Sequence, residues 1–246
     1  MLTDPEIRFR KTKDIDLKGG ILVDGFPSVG LANAIASECL VHSLQTEFVG
    51  VIDSPSFPAL SLIRNAMPNF PARVYANSDL KLAVFVSELN LDPSLFRPVA
   101  SAMLQWAVDS GCNLVISAAG MPYEIDENMA DQEPQVYAVG STPNALKRAA
   151  QAGIPPMITG SITGIPAVLL NEGAWKNFDV LVLLVKVMKD VPDFRAGAAV
   201  AMALSQLVPG ASCDIGSLLK EAEIIENTLK KTRKEQLPGS VREMYG

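Results

Sequence analysis

The sequence predicts an α/β fold: a mostly parallel sheet covered by helices on both faces, with a small antiparallel insertion. Three observations predict it. Apolar runs of strand length recur at 21–23, 48–52, 82–86, 114–117 and 180–185, and they are continuous rather than alternating, as in strands buried on both faces. Segments of helical periodicity, bounded by cap and stop residues, follow most of these runs. No internal repeat and no linker rich in Pro, Gly or Ser divides the chain, so it reads as one domain over 1–236 with a tail at 237–246.

The elements follow in order. Residues 1–20 are polar, with alternation at Ile7 and Phe9, and read as an edge strand or ordered arm. Ile21, Leu22 and Val23 form the first core strand, and Asp24-Gly25-Phe26-Pro27-Ser28 is turn chemistry. Gly30-Leu31-Ala32-Asn33-Ala34-Ile35-Ala36 then opens a helix with Ser28 as its expected N-cap. A strand at 47–52 follows, and alternation at 60–64 and 73–75 predicts two antiparallel hairpin strands, an insertion near 55–76. The strand over 82–86 precedes a helix that starts at Asp92-Pro93-Ser94 and stops at Gly111. After the strand at 114–117, residues 123–133 are acidic and loop-like. A strand at 135–139, a helix from Thr142 to Gly153, a short strand at 157–160 and a helix from Gly164 to Gly173 come next. The last core strand spans 179–187, and amphipathic helices are expected at 194–207 and 215–234.

Composition excludes several function classes. The apolar fraction is 48% and the net charge −6. The one basic stretch, Lys230-Lys231-Thr232-Arg233-Lys234, is interrupted and late, so no nucleic-acid partner is expected. The longest apolar run, 180–185, is strand-sized, so no membrane association is expected. Asp4, Glu6, Arg8, Arg10 and Lys11 break any signal-peptide core, which points to the cytoplasm. Cys39, Cys112 and Cys213 are odd in number and far apart, and are expected as three reduced core thiols.

Catalytic equipment is sparse. His42 is the sole histidine and has no evident partner, and no G-x-S-x-G elbow accompanies it. Ser28, Ser117 and Ser161 read as caps or turn residues. No cysteine–histidine pairing or calcium-loop spacing appears, so neither a metal nor a cofactor is expected. Glu124, Asp126, Glu127, Asp131 and Glu133 are irregularly spaced and read as a solvated acidic loop or a face for a basic partner. Two strand–helix turns could hold an anion: Gly25, Ser28 and Gly30, and Gly160, Ser161 and Gly164. The first lacks both the dinucleotide and the P-loop glycine spacing, which favours tight helix-on-strand packing over phosphate binding.

Taken together, several of these segments resemble the archaeal branch of the proteasome assembly chaperone family. The residues that carry the resemblance are Gly25-Phe26-Pro27-Ser28-Val29-Gly30-Leu31, Asp53-Ser54-Pro55-Ser56-Phe57-Pro58, Ser117-Ala118-Ala119-Gly120, Val139-Gly140-Ser141-Thr142-Pro143 and Ile158-Thr159-Gly160-Ser161-Ile162-Thr163-Gly164. The resemblance implies a nucleoside-phosphorylase-like α/β fold with phosphate-like loops but no catalytic residues. The last three residues, Met244-Tyr245-Gly246, read hydrophobic-Tyr-any residue and look like the terminal motif by which proteasome activators and some assembly chaperones dock between α-subunits. Pro238-Gly239-Ser240 precedes them, as a displayed tail requires.

The expectation is therefore a non-enzymatic chaperone that binds proteasome α-subunits or core particle through Met244, Tyr245 and Gly246, and that forms a homo-oligomer through the apolar faces of 194–207 and 215–234. The alternatives are a phosphorylase- or hydrolase-like enzyme, or a small-ligand-binding protein, using the two glycine-rich turns.

Overall fold

In the computed structural model, which describes residues 6–123, 134–188 and 191–220, the apolar runs lie side by side in one eight-stranded sheet. The chain runs β1 (Arg8–Lys11), β2 (Ile21–Val23), α1 (Ala32–Ser43), β3 (Glu47–Asp53), β4 (Leu62–Arg64), β5 (Met67–Asn69), β6 (Ala72–Asn77), β7 (Leu82–Ser87) and α2 (Phe96–Asp109). It continues through β8 (Leu114–Tyr123), β9 (Val136–Gly140), α3 (Pro143–Gln151), α4 (Ile165–Lys176), β10 (Val180–Met188) and α5 (Phe194–Leu207). A further helix begins at Ile215 and is described to Lys220. The large sheet has the order β1-β3-β6-β7-β2-β8-β10-β9, and β4 and β5 form a separate ribbon.

The continuous apolar character of the central strands has a direct physical use. Successive residues of a strand point to opposite faces, and here both faces are covered. Ala83, Phe85, Val115, Val180, Val182 and Leu184 enter one core with Val99 and Met103 of α2 and Leu169 of α4. Val84, Val86, Ile116, Leu181, Leu183 and Val185 enter the other, with Leu40 of α1, Ala149 of α3 and Val200 of α5. Each such Leu, Val, Ile or Phe, taken from water, contributes about 1.5–3 kcal/mol. Phe48 departs from the expected buried strand: it is 38% exposed and stacks edge-on against Tyr75.

The sheet is mixed rather than mostly parallel. β7, β2, β8 and β10 are mutually parallel, while β1, β3 and β6 on one flank and β9 on the other pair antiparallel. A parallel neighbour needs a long crossover, usually a helix. No helix lies between β3 and β7, so β3, β6 and β7 fold back on one another as a meander.

Three smaller expectations are also corrected. The strand near 62–64 pairs with Met67–Asn69, not with 73–75, which belongs to β6 in the main sheet. Its two-residue turn holds Asn65 and Ala66 at φ 51° and 61°, the left-handed geometry that tight hairpins use. The expected strand at 157–160 is reduced to one bridge, Ala138 to Pro156, which covers the outer edge of β9. Gly173 does not end its helix; it lets α4 close onto β10, where a Cβ would lie 2.5 Å from Val180 Cγ2, and the helix runs on to Lys176.

The cysteine expectation fails in part. Cys39 of α1 and Cys213, after α5, are joined by a disulfide with Cα atoms 5.5 Å apart, and Cys112 alone is a buried free thiol. A sequence separation of 174 concealed the pair; the packing of α1 against α5 brings them within bonding reach.

That packing also removes the free face expected on 194–207. Residues 196–201, 203 and 204 are buried, and Gly197 allows contact so close that a Cβ would lie 2.5 Å from Ile35 Cγ2. Met202 is left 47% exposed.

Candidate functional site

The turn after β2 was the first candidate for a ligand site, and its geometry is closed by the protein itself. Asp24 is fully buried. Its amide donates to Ile116 O at 2.8 Å, and its Oδ1 accepts the Phe26 amide at 2.9 Å. Its Oδ2 accepts the Ser117 hydroxyl at 2.6 Å, and its carbonyl accepts the Ser37 hydroxyl at 3.2 Å. Burial pushes the Asp24 carboxyl up to about 6, against bonds from Ser117, Phe26 and Asn33 that pull it down. Asn33 of α1 is a second strut: its Nδ2 donates to Phe26 O and its Oδ1 accepts the Ala118 amide, each at 3.0 Å.

Glycines make the close approach possible. A Cβ on Gly25 would lie 1.9 Å from Phe85 O. Gly30 has φ 72°, and its Cβ would meet Val187 Cβ at 2.5 Å. Gly120 faces the turn from β8, where a Cβ would meet Val29 O at 2.1 Å. The Gly30 carbonyl accepts the Asp193 amide at 2.8 Å. The Asp193 carboxylate in turn caps α5 at Ala196 and accepts the Met188 amide, each at 2.9 Å. Ser28 is not the helix cap expected of it. Leu31, at φ 58°, holds that position, and the Ser28 hydroxyl is buried with no hydrogen-bond partner among the described residues.

The second turn has a different character. Gly160 and Ser161 are exposed, and a Cβ on Gly160 would touch only Met157 Cγ at 3.8 Å. Gly164, at φ 79°, begins α4 without a side-chain cap. This turn leads into the helix pair α2–α4 on one face of the sheet, whereas the Gly25–Gly30 turn leads into α1 on the other. The two glycine turns therefore do not form one site. The Gly140-Ser141-Thr142 segment is also structural: Thr142 caps α3 through the Ala145 amide at 3.0 Å, and Ser141 bridges Phe178 O and the Val180 amide.

The structure brings forward a region that sequence reasoning passed over. The β4–β5 ribbon and its flanks expose Leu60, Ile63, Met67 and Phe70, with Ile63 70% and Met67 65% exposed. A two-stranded hairpin is marginal alone in water, and this one is moored by charge at its base. Arg73 of β6 is buried, and its guanidinium grips both oxygens of Glu88, at 2.7 and 3.1 Å, and Glu38 of α1 at 3.1 Å. It also donates to Phe70 O, where the hairpin rejoins the sheet. Arg64 approaches Glu38 at 3.5 Å. His42 does have a neighbour, contrary to expectation: Nε2 lies 3.4 Å from Glu38, on the exposed side of this cluster. An arginine inside a core strand was the available signal, but of its partners only Glu88 follows the neighbouring strand, and Glu38 comes from a helix 35 positions earlier.

Among the described residues, no group of three or more His, Cys, Asp and Glu could hold a metal ion, and no helix is long and apolar enough to cross a membrane. The acidic residues 124–133 and the terminal Met244-Tyr245-Gly246 lie outside the described residues.

Comparison with known proteins adds to this geometry. The family model described as PAC2 family matches residues 22–233. Pyrococcus furiosus PbaA, described as an archaeal homolog of proteasome-assembly chaperone, is similar with 28% identity and a TM-score of 0.80, over 93% of this chain and 92% of that one. Pyrococcus furiosus PbaB, described as an archaeal proteasome activator, shares the fold with a TM-score of 0.80 at 22% identity, over 93% of this chain and 99% of that one. An uncharacterized protein of Methanocaldococcus jannaschii is 24% identical over 94% of this chain and 92% of its own length.

Proposed function

This chain belongs to the PAC2 family, and from that premise we propose that it is a non-enzymatic chaperone or adaptor of proteasome assembly, binding α-subunits or core particle through Met244-Tyr245-Gly246. The observation that carries the reading is the likeness to PbaA, a proteasome-assembly chaperone homolog, along nearly the whole of both chains. The chemistry of the tail supports it. A terminal carboxylate pairs with a lysine in a pocket, the tyrosine ring packs while its hydroxyl reaches backbone, and the preceding apolar side chain is buried. The closed Gly25–Gly30 turn supports it too, because that turn packs against the protein's own Val187 and Phe85 O where an enzyme would hold substrate.

In this reading the protein acts as a homo-oligomer, since several tails on one ring gain avidity. The exposed apolar residues of the β4–β5 ribbon, rather than α5, supply the surface for self-association. The test is affinity for purified proteasome α-subunits, with thermal unfolding as the control. Deleting 244–246, Tyr245→Ala, and extension past Gly246 should each weaken binding severely, by about tenfold or more, without altering unfolding. Equal binding by all three variants and the full-length protein would sink the reading.

A further inference from the structure

The Cys39–Cys213 bond lies outside the central sheet, and both cysteines are only partly buried, as exchange with a small thiol requires. On one side it holds α1, a helix buried along Ala32, Ala36 and Leu40. On the other it holds the root of the C-terminal segment. Val208 and Ala211 are the last buried residues before Cys213; Ser212 before it and Asp214, Gly216 and Ser217 beyond it are exposed. The other attachments of that root are slight. The Asp214 amide donates to the Ser43 hydroxyl at 3.1 Å, and Ile215 and Leu218 are only partly buried against the core.

We propose that Cys39–Cys213 is a thiol-exchangeable clasp that fixes the root of the C-terminal helix on α1, and that a dithiol reductant releases it. An incoming thiolate attacks one sulfur, the S–S bond breaks, a mixed disulfide forms, and the other cysteine leaves as thiolate. The second thiol of the reductant then displaces the first cysteine. In total, two electrons and two protons pass to Cys39 and Cys213, and the dithiol leaves as its own disulfide. Cys112 does not compete. It is buried on the opposite face of the sheet, in the α2–α4 core, and burial pushes its thiol up to about 11. The clasp goes beyond the proteasome reading and does not depend on it, because its readout is the mobility of residues 211–220 in the free protein.

Hydrogen exchange on the full chain tests the proposal, first with oxidised glutathione, then with dithiothreitol, then reoxidised. Alkylation and mass spectrometry should find Cys39 and Cys213 linked in the oxidised protein and three thiols after reduction. Exchange in 211–220 should rise about tenfold or more on reduction and fall again on reoxidation, with the central strands unchanged. Cys39→Ser should show the fast exchange in either buffer, and Cys112→Ser should behave as wild type. Three results would each overturn the clasp: no Cys39–Cys213 linkage under oxidant, identical exchange of 211–220 in both redox states, or an equal rise in the central strands, which would make the bond a brace for the whole fold. The redox cycle on the wild-type chain reads the effect even where a serine variant fails to fold.

Discussion

The two glycine turns look alike in sequence and differ completely in the folded protein. Gly25 and Gly30 belong to a buried joint in which Asp24, Asn33, Ser37 and Ser117 tie β2, α1 and β8 together. Gly160 and Ser161 belong to an exposed connection before α4, where added side-chain atoms meet almost nothing. A glycine run at a strand–helix junction thus marks a demand for close approach, and what approaches can be the protein itself. Here one run answers that demand and the other does not.

Substitutions can break this contrast. Gly25→Ala carries the largest expected effect. Its Cβ would sit 1.9 Å from a backbone oxygen of β7, which cannot move without displacing the sheet. The cost should exceed the ~1–3 kcal/mol typical of overpacking, and urea denaturation or failure to obtain folded protein would show it. Wild-type stability in this variant would mean the turn is not the joint described.

Asn33→Ala should come next. It strands the buried Ala118 amide and Phe26 carbonyl, at about 1–3 kcal/mol for each unsatisfied group. A loss of unfolding free energy below about 0.5 kcal/mol in chemical denaturation would contradict that role.

Asp24→Asn gives a pH signature. Its folded carboxyl titrates at about 6, above the ordinary value of 3.8. The native state therefore binds the proton more tightly than the unfolded chain does between those values. Stability from this group rises as pH falls from about 7 to 4, by up to about 3 kcal/mol, and is lost as pH climbs through 6. The asparagine variant should flatten that slope when unfolding free energy is measured from pH 4.5 to 7.5. An unchanged slope would remove Asp24 from the account.

The smallest effects belong to the open turn. Gly160→Ala and Ser161→Ala should each stay within about 0.5 kcal/mol of wild type in thermal unfolding. A larger loss at either position would show that the two turns are more alike than the geometry allows.

Sequence by itself determined a good deal here. The five apolar runs are β2, β3, β7, β8 and β10, and their unbroken character follows from a sheet covered on both faces. Caps were readable because they act locally: Thr142 and Asp92 bond amides two or three residues away. Family resemblance was readable because short turn motifs kept their order along the chain. Tertiary structure alone decided the rest. Strand direction on the flanks depended on which connections lacked a crossover. Arg73 found Glu38, and Cys39 found Cys213, through the docking of α1, which brings together residues 35 and 174 positions apart. The role of Gly25 depended on a carbonyl of β7 that only sheet assembly places beside it. Local chemistry acts over a few residues and is written in their order; these partnerships act across space and exist only once the chain has closed.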